Sequence, residues 1–256
     1  MTRARGGASS ADRKTFWEQV ADTRWGAYTT DVVRRAIVRS LESFRNPAHA
    51  LDMGCEGGRW SRFLADRGWS TTCVDTDARA LATCRRRIPG ADCILVPPDN
   101  DRMPGRSSSV DLLLCIEVPP VILSDWFVAE SSRVLRSGGL LIGVMWNLLS
   151  LRGLVGHVKA SLTGSFDYYR ISYPAWKRKL SRAGFRVLHE EGYCWFPFGR
   201  ASNSVLVPLC TSLEKGLGLR RLTALSPWVI VVSQKGPPRE PGVRRETGAG
   251  HPCREE

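Results

Sequence analysis

An apolar run ends in Leu51-Asp52-Met53-Gly54-Cys55-Glu56-Gly57-Gly58-Arg59-Trp60, and a second run further on ends in Cys73-Val74-Asp75-Thr76-Asp77. Glycines in a strand-to-helix turn let backbone approach a ligand closely. A carboxylate closing the next strand sits where ribose hydroxyls need an acceptor. Strand, glycine-rich turn, helix and second strand therefore spell a nucleoside-binding half of a doubly wound sheet. The spacing Gly54-x-x-Gly57-Gly58 differs from the Gly-x-Gly-x-x-Gly turn of dinucleotide-binding dehydrogenases, which argues against hydride transfer.

These residues must be held by a regular frame, and the chain alternates accordingly. Strands are expected near 49–54, 70–75, 92–96, 110–115, 139–145, 185–191 and 228–233. Helices are expected over 58–67, 77–87, about 121–136 and 174–183. Short apolar runs such as Val110-Asp111-Leu112-Leu113-Leu114-Cys115 suit parallel strands covered on both faces. Val32, Val33, Ile37, Val38 and Leu41 recur at helical spacing, with Thr30 or Asp31 as the expected cap. Ser137-Gly138-Gly139 reads as a helix end before the fifth strand. Residues 1–12 and 237–256 read as disordered, leaving one domain over 13–236 with cap insertions at 146–173 and 192–227.

The chain has 256 residues, 43% of them hydrophobic, and a formal charge of +12. That suits one α/β domain with a full core. The basic residues are overwhelmingly arginine, which looks more like the coding bias of a GC-rich genome than the mark of an anionic partner such as nucleic acid. Eight cysteines stand singly without a Cys-x-x-Cys pair. This spacing speaks against zinc, so no metal is expected, and it fits a reducing cytoplasm. The apolar stretch Gly138 to Val158 is broken by Asn147, Arg152 and His157, so it reads as a buried strand plus a helix and not a membrane span.

The order Leu51-Asp52-x-Gly54-Cys55-x-x-Gly58-Arg59, Val74-Asp75, Asp99-Asn100, Val110-Asp111-Leu112-Leu113-Leu114 and Leu135-Arg136-x-Gly138-Gly139 resembles class I S-adenosylmethionine-dependent methyltransferases, in register over roughly residues 47 to 145. The resemblance implies an α/β fold, a doubly wound Rossmann-like seven-stranded sheet, mostly parallel with an antiparallel last strand and helices on both faces. It implies S-adenosyl-L-methionine as cofactor. Asp52 would help orient the amino-acid end, and Gly54, Cys55, Gly57 and Gly58 would form the loop beneath it. Asp75, followed by Thr76, would take the ribose hydroxyls, while Asp99 and Asn100 would meet adenine. Cys115 to Glu117 would line the floor where methyl donor and acceptor meet. Relatives usually carry glycine where Glu56 stands; a glutamate is tolerable there at negative φ with its side chain outward.

An activated sulfonium methyl needs alignment above all, and a general base only when the nucleophile must lose a proton. His157, in the first insertion, and Glu117 are the catalytic candidates. Tyr168, Tyr169 and Tyr173 are alternatives, whereas His49, His189 and His251 read as structural or surface residues. The acceptor walls are expected from Trp17, Trp25 and Tyr28, from Leu148, Leu149, Leu151, Leu154 and Val155, and from Tyr193 to Phe198. Arg200, Asn203 and Ser204 would meet polar substituents. This make-up suits a small or medium organic acceptor methylated at O, N or C. Two other functions remain open: a nucleic-acid methyltransferase using the basic stretch Arg170 to Arg186, and a non-catalytic protein keeping the cofactor fold.

Overall fold

Seven strands pair into one sheet in the computed structural model, which describes residues 14–237. They are β1 (His49–Met53), β2 (Ser70–Asp75), β3 (Asp92–Leu95), β4 (Val110–Cys115), β5 (Leu135–Trp146), β6 (Phe185–Tyr193) and β7 (Trp228–Lys235). Their order is β3-β2-β1-β4-β5-β7-β6. Every pair from β3 to β5 is parallel, and β7 runs antiparallel to both β5 and β6. The expected leader and, apart from Pro237, the expected tail lie outside the described residues, as do His251 and Cys253.

Alternation along the strands builds two apolar layers. Leu112 and Leu114 of β4 face one side, where they pack with Val33 and Ile37 of α2 (Arg24–Leu41) and with Leu64 of α3 (Arg59–Ala65). Leu113 and Cys115 face the other side, where they join Phe127 of α6 (Phe127–Val134) and Trp176 of α8 (Tyr173–Arg182). All four strand residues are fully buried, each leucine contributing roughly 2 kcal/mol of transfer free energy. The remaining helices are α1 (Phe16–Ala21), α4 (Ala78–Arg87), α5 (Pro119–Ile122), α7 (Leu151–Thr163) and α9 (Val207–Gly216). No helix among the described residues is long and apolar enough to cross a membrane.

Local chemistry moved several boundaries. Thr23, not Thr30 or Asp31, caps α2, its hydroxyl accepting from Gly26 N at 3.1 Å. The helix expected over 121–136 is two pieces, α5 opening on a proline pair and α6 ending at Val134. Ser137-Gly138-Gly139 therefore lies inside β5, beside the register shift between Val110 and Leu112, instead of closing a helix.

Candidate cofactor cleft and acceptor pocket

The parallel strands β1, β2 and β4 end side by side, and a cleft of about 630 Å³ opens at those ends. Gly54, Asp75, Thr76, Asp99, Asn100 and Glu117 all line it. Asp75 is pinned from both sides: Oδ2 accepts the backbone N–H of Glu56 at 2.8 Å and Oδ1 that of Asp77 at 2.9 Å. A carboxylate has about four lone-pair sites, so each oxygen can still take a hydroxyl donor. Pro98, Val96 and Trp126 give the cleft apolar walls.

Four expected site residues sit behind the cleft wall. Asp52 is buried beneath the loop, where its Oδ2 accepts from Ser61 Oγ at 2.6 Å; burial pushes its carboxyl up to about 7, against that hydrogen bond. A Cβ on Gly57 would lie 2.4 Å from Thr15 Cγ2, and one on Gly58 2.7 Å from Cys84 Sγ. These two glycines thus make room for α1 and α4, not for a ligand. Cys115 is fully buried in the core between β4 and its neighbours, which corrects the expectation that its side chain floors the site. Cys55 lines a smaller hollow of about 60 Å³ beside the cleft. Its sulfur lies within 4.8 Å of those of Cys73 and Cys84, so cysteines that stand singly in the sequence cluster in the fold.

Glu56 departs from its expected conformation. Its φ is +51°, and its carboxylate accepts from Thr15 Oγ1 at 3.0 Å and from Trp17 N at 3.5 Å. Arg87 of α4 clasps Glu18 of α1 at 2.8 Å. Glu56 therefore straps the start of α1 to the loop, and Trp17 of that helix lines the cleft.

Residues 51–143 match a methyltransferase domain. The chain therefore carries a methyltransferase domain over the stretch from β1 into β5. A methyltransferase from Mesorhizobium loti shares the fold at 16% identity and a TM-score of 0.57, over 84% of this chain and all of that one. One from Archaeoglobus fulgidus does so at 14% identity and 0.54, over 86% and 98%. A geranyl diphosphate methyltransferase in complex with GPP and sinefungin is similar at 15% identity and 0.53, over 74% and 71%. No curated protein matches significantly. The cleft fits S-adenosylmethionine, the cofactor that the sequence resemblance implies, in volume and in the open acceptor capacity of Asp75.

Next to the cleft the chain has a second, tighter pocket lined by Trp17, Trp25, Trp228, Arg59, Arg200 and Glu117. Its free volume is about 10 Å³, room for about one water. Trp17 and Glu117 line both compartments. Burial raises the Glu117 carboxyl above the usual range, while Arg59 and Arg200 pull it down. Among the described residues Glu117 has no hydrogen-bond partner, and its φ of +58° marks the turn that turns it out of β4. The Arg200 guanidinium lies 5.0 Å from the Trp17 ring and 4.9 Å from the Trp146 ring, at cation–π distance from both.

Other candidates fall elsewhere. His157 Nδ1 is 2.6 Å from Asp167 Oδ2 on the insertion, and it lines neither the cleft nor the pocket, which corrects its choice as a catalytic residue. Tyr173 is buried, its hydroxyl on Glu190. Asn203 caps the start of α2 by accepting from Arg24 N, and Ser204 Oγ accepts from Leu206 N. Leu151, Leu154 and Val155 point into solvent and are not pocket walls. Arg59 and Trp228 were missed. Arg59 directly follows Gly58, and Trp228 opens a strand whose antiparallel direction brings its first residue to the ligand-binding edge.

Proposed function

We propose that this enzyme methylates a small or medium organic acceptor seated in the aromatic pocket, with the cofactor in the adjoining cleft. The reading rests on one observation: Trp17 and Glu117 are shared by both compartments, so a ligand in either meets the other at that wall. Asp75 and Thr76 take the ribose side, Asp99 and Asn100 the adenine side, and Gly54 leaves the loop open to the ligand. Asp52, Cys55, Gly57 and Gly58 set the shape of that loop, and Cys115 supports it from the core.

The cofactor supplies an activated sulfonium methyl. The protein's part is to hold an acceptor lone pair in line with it, which for good geometry amounts to roughly 7–11 kcal/mol of barrier. Trp25 and Trp228 clamp an apolar or aromatic body, while Arg59 and Arg200 hold a polar or anionic substituent. Glu117 accepts the proton of a hydroxyl or amine acceptor at its free carboxylate. An acceptor larger than a water needs the pocket to widen, and Arg200, exposed at its rim, is the side chain that must leave its ring contacts and take up the acceptor's substituent instead.

Partnering within α8 and around it disfavours the nucleic-acid alternative. Lys177 pairs with Glu190 at 2.7 Å and Lys179 with Asp125 at 3.0 Å, so the basic stretch is partly neutralised by the protein itself. Radiolabelled methyl donor offered with a panel of phenols, amines, carboxylic acids and quinols, and separately with RNA, tests the proposal. Label in an extractable small acceptor is expected; label entering RNA alone would overturn it.

A further inference from the structure

Helices α7 and α9 are inverted relative to ordinary surface helices. On α7 the small residues Gly153 and Ala160 are buried and Gly156 abuts the Tyr169 ring, whereas Leu151, Leu154, Val155, Val158 and Leu162 form a single outward stripe. Leu151 and Leu162 are 81% and 82% exposed. On α9 the buried residues are Val207 and Glu214, while Leu206, Leu209, Leu213 and Leu217 face solvent. Among the described residues, every exposed large apolar side chain except Phe16, Val38, Leu95 and Leu188 lies within 146–173 or 192–227.

Topology brings the two stripes to one end. Both β5 and β6 are antiparallel to β7, so they point the same way, and both segments leave from their carboxyl ends. That is the edge where β1, β2 and β4 present the cleft. The exposed charges of the two helices are one-sided, although Asp167 faces His157 of α7 and the acids Asp75, Asp77 and Asp99 line the cleft on the same edge. Helix α7 contains no acidic residue, and the single acid of α9, Glu214, is turned inward to Tyr28 and to Trp195 N. Lys159, Lys215 and Arg221 are exposed beside the leucines, on a chain of formal charge +12.

We infer that this end docks on the surface of an anionic bilayer, the leucine stripes of α7 and α9 entering the headgroup boundary and the lysines and arginine meeting lipid phosphates. Leucine-rich stripes bordered by basic residues are what interfacial helices present to such a surface. Apolar stripes exposed in this way mark interaction surfaces. A second copy is a poorer occupant, because a two-fold contact would press two basic rims together. Docking would turn the mouth of the aromatic pocket toward the membrane, giving access to an acceptor dissolved there. That consequence rests on the acceptor reading above; the docking itself does not.

Flotation of the full chain with phosphatidylcholine vesicles containing about one-third phosphatidylglycerol, and with phosphatidylcholine alone, tests the inference. The protein is expected to float with the anionic vesicles and at least about tenfold less with the neutral ones. The double variants L151S/L162S and L209S/L217S should each bind at least about tenfold more weakly. Their thermal midpoints and calorimetric S-adenosylmethionine affinity should match the parent, which separates lost docking from lost folding or a misread cofactor site. Three results would overturn the inference: no flotation with anionic vesicles; flotation that salt abolishes and the leucine variants retain in full; or a dimer by light scattering that the same variants dissolve.

Discussion

The two halves of the sheet solve different problems. From β3 to β4 the strands are parallel, and each cleft-lining group sits close to a strand end: Gly54, Asp75, Thr76 and Glu117 within two residues of theirs, Asp99 and Asn100 just beyond the Pro97-Pro98 turn after β3. From β5 to β6 the strands are antiparallel and their connections are long, and the pocket they build draws Trp25 from α2, Trp228 from β7 and Arg200 from the second insertion. The first half binds a constant ligand by backbone geometry. The second must suit one particular acceptor, so it is assembled from side chains far apart in the chain. Among the described residues only Trp17 and Glu117 belong to both.

Perturbing each half should break this contrast in graded ways. The largest effect is expected beneath the cofactor loop. Asp52 ionises near 7 when folded against an ordinary 3.8, so the folded chain holds its proton more tightly. Its contribution to stability is fully present below about pH 4 and is lost as pH rises toward 7, a change on the order of 4 kcal/mol. Asp52→Asn, which keeps an acceptor for Ser61, should remove that decline; denaturant titrations of both proteins at pH 4.5 and 7.5 would expose identical profiles if the idea fails.

At the junction, Glu117→Gln should lower kcat about a hundredfold on an acceptor that must lose a proton, with cofactor affinity little changed. The parent rate should rise with pH through a value above the ordinary carboxylate range, because burial raises this group. A flat pH–rate profile in the parent would remove Glu117 from proton transfer. On the cofactor side, Asp75→Ala should weaken S-adenosylmethionine binding at least about tenfold by calorimetry, since it loses both the ligand contact and the amide contacts that pin the loop.

Smaller effects should follow at the strap and the cap. Glu56→Ala frees Thr15 and the Trp17 amide, and cofactor release measured by stopped flow should quicken by roughly threefold to tenfold. An unchanged release rate would mean that α1 does not cover the bound ligand. His157→Ala breaks only the contact with Asp167. It should leave kcat and cofactor affinity within about twofold, and a larger loss would return that histidine to the site.

What the sequence determined by itself was the frame and several of the residues that line the cleft. The glycine turn, Asp75 and the Asp99-Asn100 pair are legible because each depends on a few contiguous residues and on strand ends, whose conformations are locally encoded. Tertiary structure alone decided the rest. Glu56 became a strap only because α1 folds back across the loop, and His157 left the site because α7 turns its small residues inward. The three cysteines met because β2, α4 and the loop converge, and Arg59 joined Arg200 across more than half the chain. Contacts between distant segments follow from packing and strand direction, and neither is written in local spacing.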